Sequence, residues 1–131
     1  MHRISGHILR ISLAITFIWI ASVILKYPEV WGEYLKPWAI DLPPASVEAT
    51  MRATDIADIV IGFLFLVPSI AWVAGILGVL HMLLVLVTSG ITDMTVSNIG
   101  LLGASAAIVL DSLSFFIRKR HSSKTTATPT T

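Results

Sequence analysis

Charged side chains are rare in this chain of 131 residues, so the few titratable residues that interrupt apolar runs are candidates for chemistry. Asp55 and Asp58 lie three residues apart in the stretch TDIADIVIG, so on a helix their carboxylates share a face. His81 interrupts the run IAWVAGILGVLHMLLVLV. A carboxylate beside an imidazole can relay protons or hold a quinone carbonyl, because imidazole titrates near neutral pH. Asp58 and His81 are therefore candidates for a site, and the alternative is that they only brace two helices.

A second candidate pair has opposite charges and lies in the first and last apolar runs. Arg10 is near the start of the first run, and Asp111 is near the end of the last. Opposite charges in lipid satisfy each other and need no further purpose, so we predict a structural ion pair between them. We expect Lys26 and Asp55 to be polar groups at the outer membrane face, where Lys26 or Arg52 pairs with Asp55.

Composition and spacing exclude several other kinds of chemistry. The chain has no cysteine, which excludes disulfide exchange, thiolate metal sites and covalently attached haem. The apolar runs contain no HxxxH or ExxH spacing, so we predict no metal site. The net charge of +1 is too small to suggest a nucleic-acid partner. Electrons for any redox reaction must therefore come from a partner protein.

The elements that hold these residues are predicted to be membrane-spanning helices. The chain is 55% hydrophobic and 13% charged, and a soluble domain of this size cannot bury so much apolar surface. Four apolar runs, at about 8–25, 50–67, 70–88 and 99–117, approach the roughly 20 residues that a spanning helix needs. The second is a span only if Arg52, Asp55 and Asp58 are included. We predict an all-α integral membrane four-helix bundle, one domain over residues 1–120.

The distribution of basic residues predicts the orientation. Basic side chains concentrate before the first run and after the fourth: Arg3, Arg10, Arg118, Lys119, Arg120 and Lys124. Such residues favour the cytoplasm, so we expect both termini there and a multi-pass protein of the plasma or inner membrane. A signal peptide is the alternative for the first run, but no small-residue cleavage site follows Leu25. The Ser/Thr-rich residues 121–131 are expected to be a disordered cytoplasmic tail.

Prolines and aromatic residues predict the first connection. Trp31 and Tyr34 have near-helical spacing between Pro28 and Pro37, which favours a short interfacial helix in the first extracytoplasmic loop. Ser46 is the predicted N-cap of the second span.

Distances along the helices bring Asp58 and His81 together. A tight turn at Pro68 makes the second and third spans antiparallel neighbours. Asp58 lies ten residues before Pro68, and His81 lies eleven residues after Ile70. At 1.5 Å per residue, both are about 15 Å from the turn. We therefore predict a hydrogen bond or ion pair between them near the middle of the bilayer.

Small residues predict where the helices approach each other. Gly62 shares the face of Asp58, and Ala74 and Gly78 share the face of His81. In the fourth span the predicted packing stripe consists of Gly100, Gly103, Ala104, Ala107, Asp111 and Ser114.

The stretches FIWIASVILKY, DIVIGFLFL and GITDMTVSNIGLLGASAAIVL, within residues 8–117, resemble the DoxX-like family of small four-helix membrane proteins. The first helix ends FIWIASVILKY, with Lys26 at the family's lysine position and Val23 where the family usually has glycine. The second contains DIVIGFLFL, with Asp58 where the family more often has glutamate. The stretch GITDMTVSNIGLLGASAAIVL is similar to the family's polar loop and fourth helix.

The resemblance implies a four-helix bundle and an association with quinone-linked oxidoreduction, such as a small subunit of thiosulfate:quinone oxidoreductase. The leading hypothesis is an accessory subunit of a membrane redox complex, in which Asp58 and His81 contact a non-covalent quinone or relay a proton. The alternative is a purely structural subunit that docks a larger membrane enzyme through small-residue helix faces. A small transporter is less favoured, because no broken-helix repeat is present. The expected partners are the lipid bilayer and other membrane subunits or further copies of the chain.

Overall fold

The computed structural model describes residues 3–41 and 46–125, and these residues form helices joined by short turns. Four of the helices are long and two are short. In chain order they are α1 (Arg3–Lys26), α2 (Pro28–Gly32), α3 (Pro37–Asp41), α4 (Val47–Leu66), α5 (Ala71–Ser89) and α6 (Ser97–Thr125). A single 3-10 turn, Pro68–Ile70, connects α4 to α5. The four long helices cover the four apolar runs of the sequence.

Three segments are long and apolar enough to cross a membrane: Ile4–Lys26, Pro68–Ser89 and Ser97–Arg120. These segments make the chain a membrane protein. Helix α4 differs from them because its 20 residues include Glu48, Arg52, Asp55 and Asp58. Its length is nevertheless about 30 Å at 1.5 Å per residue, which is the thickness of the hydrocarbon core of a bilayer.

Helix α4 lies antiparallel against α1 along its full length. At one end, the Nε atom of Arg10 donates to the carbonyl oxygen of Phe65 over 3.1 Å. In the middle, a Cβ added to Gly62 would lie 3.2 Å from the carbonyl oxygen of Ala14. At the other end, α2 follows α1 and packs on the first turn of α4. The pair α1–α4 is therefore one tightly packed layer of the bundle.

Helices α5 and α6 form the second tightly packed pair, and α4–α5 and α1–α6 contacts close the bundle. A Cβ added to Gly78 would lie 2.8 Å from the Oγ atom of Ser105, so only glycine allows this approach of α5 to α6. The core between the pairs centres on Phe17 and Phe65, whose ring centroids are 5.8 Å apart. Both phenylalanines are fully buried.

The helices begin at residues whose side chains favour a helix start. The Oγ atom of Ser46 accepts a hydrogen bond from the backbone N–H of Ala49 over 3.2 Å, which confirms the predicted N-cap of α4. The first connection contains two short helices in place of the one expected. Pro37 starts the second, α3, because its fixed φ suits the first turn of a helix.

Helix α6 differs from its prediction in length and in its packed face. It continues through residue 125, so residues 121–125 of the expected disordered tail are helical, and residues 126–131 lie outside the described residues. Gly100 and Gly103 have no neighbour within 4 Å of an added Cβ. The buried residues of this helix are instead Asn98, Leu101, Ser105 and Ile108. The expected glycine stripe therefore faces outwards, because α5 packs on the adjacent face of α6.

Candidate functional site

Asp58 and His81 meet between α4 and α5. The Nε2 atom of His81 lies 3.0 Å from the Oδ1 atom of Asp58. The Asp58 side chain is 2% exposed and the His81 side chain is 11% exposed. The short turn at Pro68–Ile70 positions them, since it makes both helices leave the same end of the bundle in register. The contact predicted from the sequence is therefore present.

The side chains of Asp58 and His81 do not use all of their hydrogen-bonding capacity in this contact. The 3.0 Å separation is that of an ion pair or hydrogen bond, but its geometry falls short of a directed hydrogen bond. Neither Asp58 Oδ1 nor His81 Nε2 has a hydrogen-bond partner elsewhere among the described residues. Buried polar atoms normally find partners. A polar group of a ligand that lies beside this contact could therefore bond to either side chain.

A cavity of about 370 Å³ runs from Asp58 and His81 to the end of the bundle that carries α2 and α3. We call it the α2–α3 cavity. Its walls are largely apolar, and its mouth is polar and aromatic. The residues around it are Ile20, Ile24, Trp31, Tyr34, Leu35, Ala39, Thr50, Met51, Thr54, Asp58, His81, Met82, Leu84, Val85, Thr88, Ser89, Met94, Thr95, Ser97 and Asn98. A largely apolar cavity with a few convergent polar groups is typical of a small-molecule site.

The mouth of the α2–α3 cavity is held by two structured connections. The backbone N–H of Lys36 donates to the carbonyl oxygen of Thr88 over 2.8 Å, which ties the first connection to the end of α5. In the connection before α6, the Oγ1 atom of Thr95 donates to the carbonyl oxygen of Gly90, and Thr95 is 2% exposed. Sequence reasoning identified the polar loop but missed its place in the site, because neighbours distant in the sequence determine which of its residues are buried.

The environment of Asp55 differs from the predicted one, in which Lys26 or Arg52 pairs with it at the outer membrane face. Its side chain is 2% exposed, and its Oδ1 atom has no hydrogen-bond partner among the described residues. Arg52 pairs with Glu48 instead, with 2.9 Å between Nη2 and Oε1. Lys26 is exposed at the end of α1, as predicted. Asp55 is thus a buried carboxylate, and neither Arg52 nor Lys26 forms an ion pair with it.

Arg10 and Asp111 lie on the walls of a second cavity at the opposite end of the bundle. Arg10 donates to the last carbonyl groups of α4, from Nε to Phe65 over 3.1 Å and from Nη2 to Leu66 over 3.5 Å. It therefore fixes α1 to α4 at this end. The ion pair between Arg10 and Asp111 stays a prediction.

The chain matches no protein-family model, no curated protein and no solved structure in the comparisons made. In the described part of the chain, no group of three or more metal-ligating side chains is placed to hold a metal ion. The features that indicate a function are therefore the α2–α3 cavity and the chemistry of Asp58 and His81.

Proposed function

We propose that the chain is a DoxX-like accessory subunit of a quinone-linked redox complex in the plasma or inner membrane. In this proposal the α2–α3 cavity binds a quinone head group. The observation that carries the proposal is the position of the Asp58–His81 contact at the deep end of a 370 Å³, mainly apolar cavity. Such a cavity suits a flat ring with an apolar tail and polar atoms at one edge.

We also propose that α4 crosses the membrane as a fourth span and that both termini lie in the cytoplasm. Support comes from the packing of α4 against α1 at Arg10 and Ala14, and from the packing of its first turn against Gly32 of α2, which follows α1. A helix that accompanies a spanning helix over this length lies at the same membrane depth. Its acidic residues then avoid lipid, since Asp55 and Asp58 are both buried inside the bundle.

The chemistry assigned to the site is proton transfer and orientation. A bound quinone supplies the redox chemistry, and its electrons come from the partner subunit. His81 donates from Nε2 to a carbonyl oxygen when it carries the proton there, and Asp58 accepts from a hydroxyl when it is a carboxylate. The unused hydrogen-bonding capacity of the two atoms matches these two roles.

His81→Phe tests the proposal, because phenylalanine keeps a ring of similar size and removes both nitrogen atoms. We expect binding of a short-chain quinone to the purified protein, measured by quenching of tryptophan fluorescence, to weaken about tenfold. This loss corresponds to a hydrogen bond of about 1.5 kcal/mol. The matched control is His7→Phe, the same substitution at the opposite end of the bundle, which should bind as the wild type does. Equal binding by wild type and His81→Phe would refute a quinone contact at His81.

The second candidate function is a purely structural subunit, and one observation favours it. Gly100 and Gly103 of α6 lie exposed with nothing within 4 Å of an added Cβ. Small residues on an open helix face allow another spanning helix to approach closely. In this alternative, Asp58 and His81 only brace α4 against α5, and a larger membrane enzyme covers the exposed face of α6.

A further inference from the structure

The second cavity, of about 700 Å³, lies at the end of the bundle that carries the Pro68–Ile70 turn. It shares no lining residue with the α2–α3 cavity. We call it the basic cavity, because Arg10 and Arg118 both line it. The other lining residues that bear on its chemistry are His7, Trp72, Asp111, Phe115 and Phe116.

The charge of the basic cavity suits an anion. Two guanidinium groups and one carboxylate, that of Asp111, line it, so the formal charge is +1 with His7 neutral. Arg10 is held in place by its bonds to the last carbonyls of α4, and these leave some of its five N–H donors unused. Arg118 is exposed at the rim. Guanidinium groups match phosphate oxygens in geometry as well as in charge.

The walls of the basic cavity suit an apolar chain attached to that anion. Trp72 is 42% exposed, Phe115 is 65% exposed and Phe116 is 52% exposed. Phe115 and Phe116 also pack edge to face, with ring centroids 6.2 Å apart. Aromatic side chains beside basic ones are typical of the membrane interface, where lipid head groups meet acyl chains.

We propose that the basic cavity binds the phosphate group of an anionic phospholipid. Arg10 and Arg118 pair with the phosphate, and the acyl chains lie along Trp72 and the two phenylalanines. This site is independent of quinone binding, because it lies at the other end of the bundle. A soluble phosphate has the same recognition chemistry, but it would leave the aromatic walls without a ligand.

The test uses the full-length protein in mild detergent and native mass spectrometry with phosphatidylglycerol or phosphatidylcholine of the same acyl chains. Arg118→Gln is the test variant, since Arg118 makes none of the contacts that fix α1 to α4. Lys119→Gln is the matched control, with the same charge change on the adjacent residue, which does not line the cavity. We expect the wild type to retain phosphatidylglycerol about fivefold more strongly than phosphatidylcholine, and Arg118→Gln to lose that preference. Lys119→Gln should keep it.

Three results would overturn the proposal. Equal retention of the two lipids by the wild type would remove the preference for an anion. If Arg118→Gln and Lys119→Gln lost the preference for phosphatidylglycerol equally, general surface charge would explain that preference. In a separate titration with inorganic phosphate we expect no saturable binding. Saturable binding that Arg118→Gln abolishes, without any lipid preference, would assign the cavity to a soluble phosphate in place of a lipid.

Discussion

Asp55 and Asp58 are both 2% exposed, yet only Asp58 lies against a basic side chain. Asp55 lies beside a cavity of about 20 Å³ that Pro28, Met51 and Arg52 also line. A buried carboxylate without a partner loses solvation and gains little in return. The neighbouring carboxylate, three residues along the same helix face, adds repulsion when both are ionised. The two residues should therefore respond in opposite ways when their charge is removed.

We expect Asp55→Asn to raise the stability of the bundle by about 1 kcal/mol, because asparagine has a similar shape and no charge to desolvate. Asp58→Asn should lower stability by a similar amount, since it weakens the contact with His81. The measurement is the thermal unfolding midpoint of each variant in the same detergent. Destabilisation by Asp55→Asn would show that the charge of this carboxylate makes a favourable contribution to the fold.

At the scale of helices, two glycines differ in whether another helix packs against them. Gly78 of α5 faces Ser105 of α6, where an added Cβ would lie 2.8 Å from Oγ and 3.3 Å from Cβ of the serine. Ser105 is fully buried and cannot swing into solvent. A Cβ added to Gly103 of α6 would have no neighbour within 4 Å. The two glycines therefore provide a matched pair for testing the α5–α6 packing.

Gly78→Ala should destabilise the folded bundle by roughly 1–3 kcal/mol, because the added methyl group overpacks the α5–α6 interface. Gly103→Ala should be neutral or slightly stabilising in the isolated protein, since alanine is the better helix former. Thermal unfolding in detergent measures both effects. If α6 docks a partner subunit through its exposed face, Gly103→Ala should also reduce co-purification of that subunit. Equal stability of the two variants would refute the close approach at Gly78.

The helices and the Asp58–His81 contact could be predicted from the sequence because each depends on local signals. Ser46 caps the start of α4, and the short turn at Pro68 sets the register of α4 against α5. The packed face of α6 could not be predicted in this way. Periodicity shows that Gly100 and Gly103 share a stripe, but not which neighbour covers it. The α2–α3 cavity is likewise a product of tertiary packing, since its lining comes from every long helix and from both end connections.

At the scale of the whole molecule, the position of α4 decides the topology. With the N-terminus in the cytoplasm, as proposed, a crossing α4 places the Pro68–Ile70 turn on the cytoplasmic side and the connection before α6 outside. If α4 does not cross, those two segments exchange sides. The chain has no cysteine, so single cysteines introduced in each segment report its side without background. Ser69 and Asp93 are suitable positions because both are exposed.

We expect a membrane-impermeant maleimide added to intact cells to label Asp93→Cys and not Ser69→Cys. Both variants should be labelled after the membrane is permeabilised. Glu33→Cys, in the exposed first connection, is the control for the orientation of α1 and should be labelled in intact cells under either topology. Labelling of Ser69→Cys and protection of Asp93→Cys, with Glu33→Cys labelled, would show three crossings. That result would place Asp58 outside the bilayer core while His81 stays within the span α5, and it would remove the mid-membrane contact on which the quinone proposal depends.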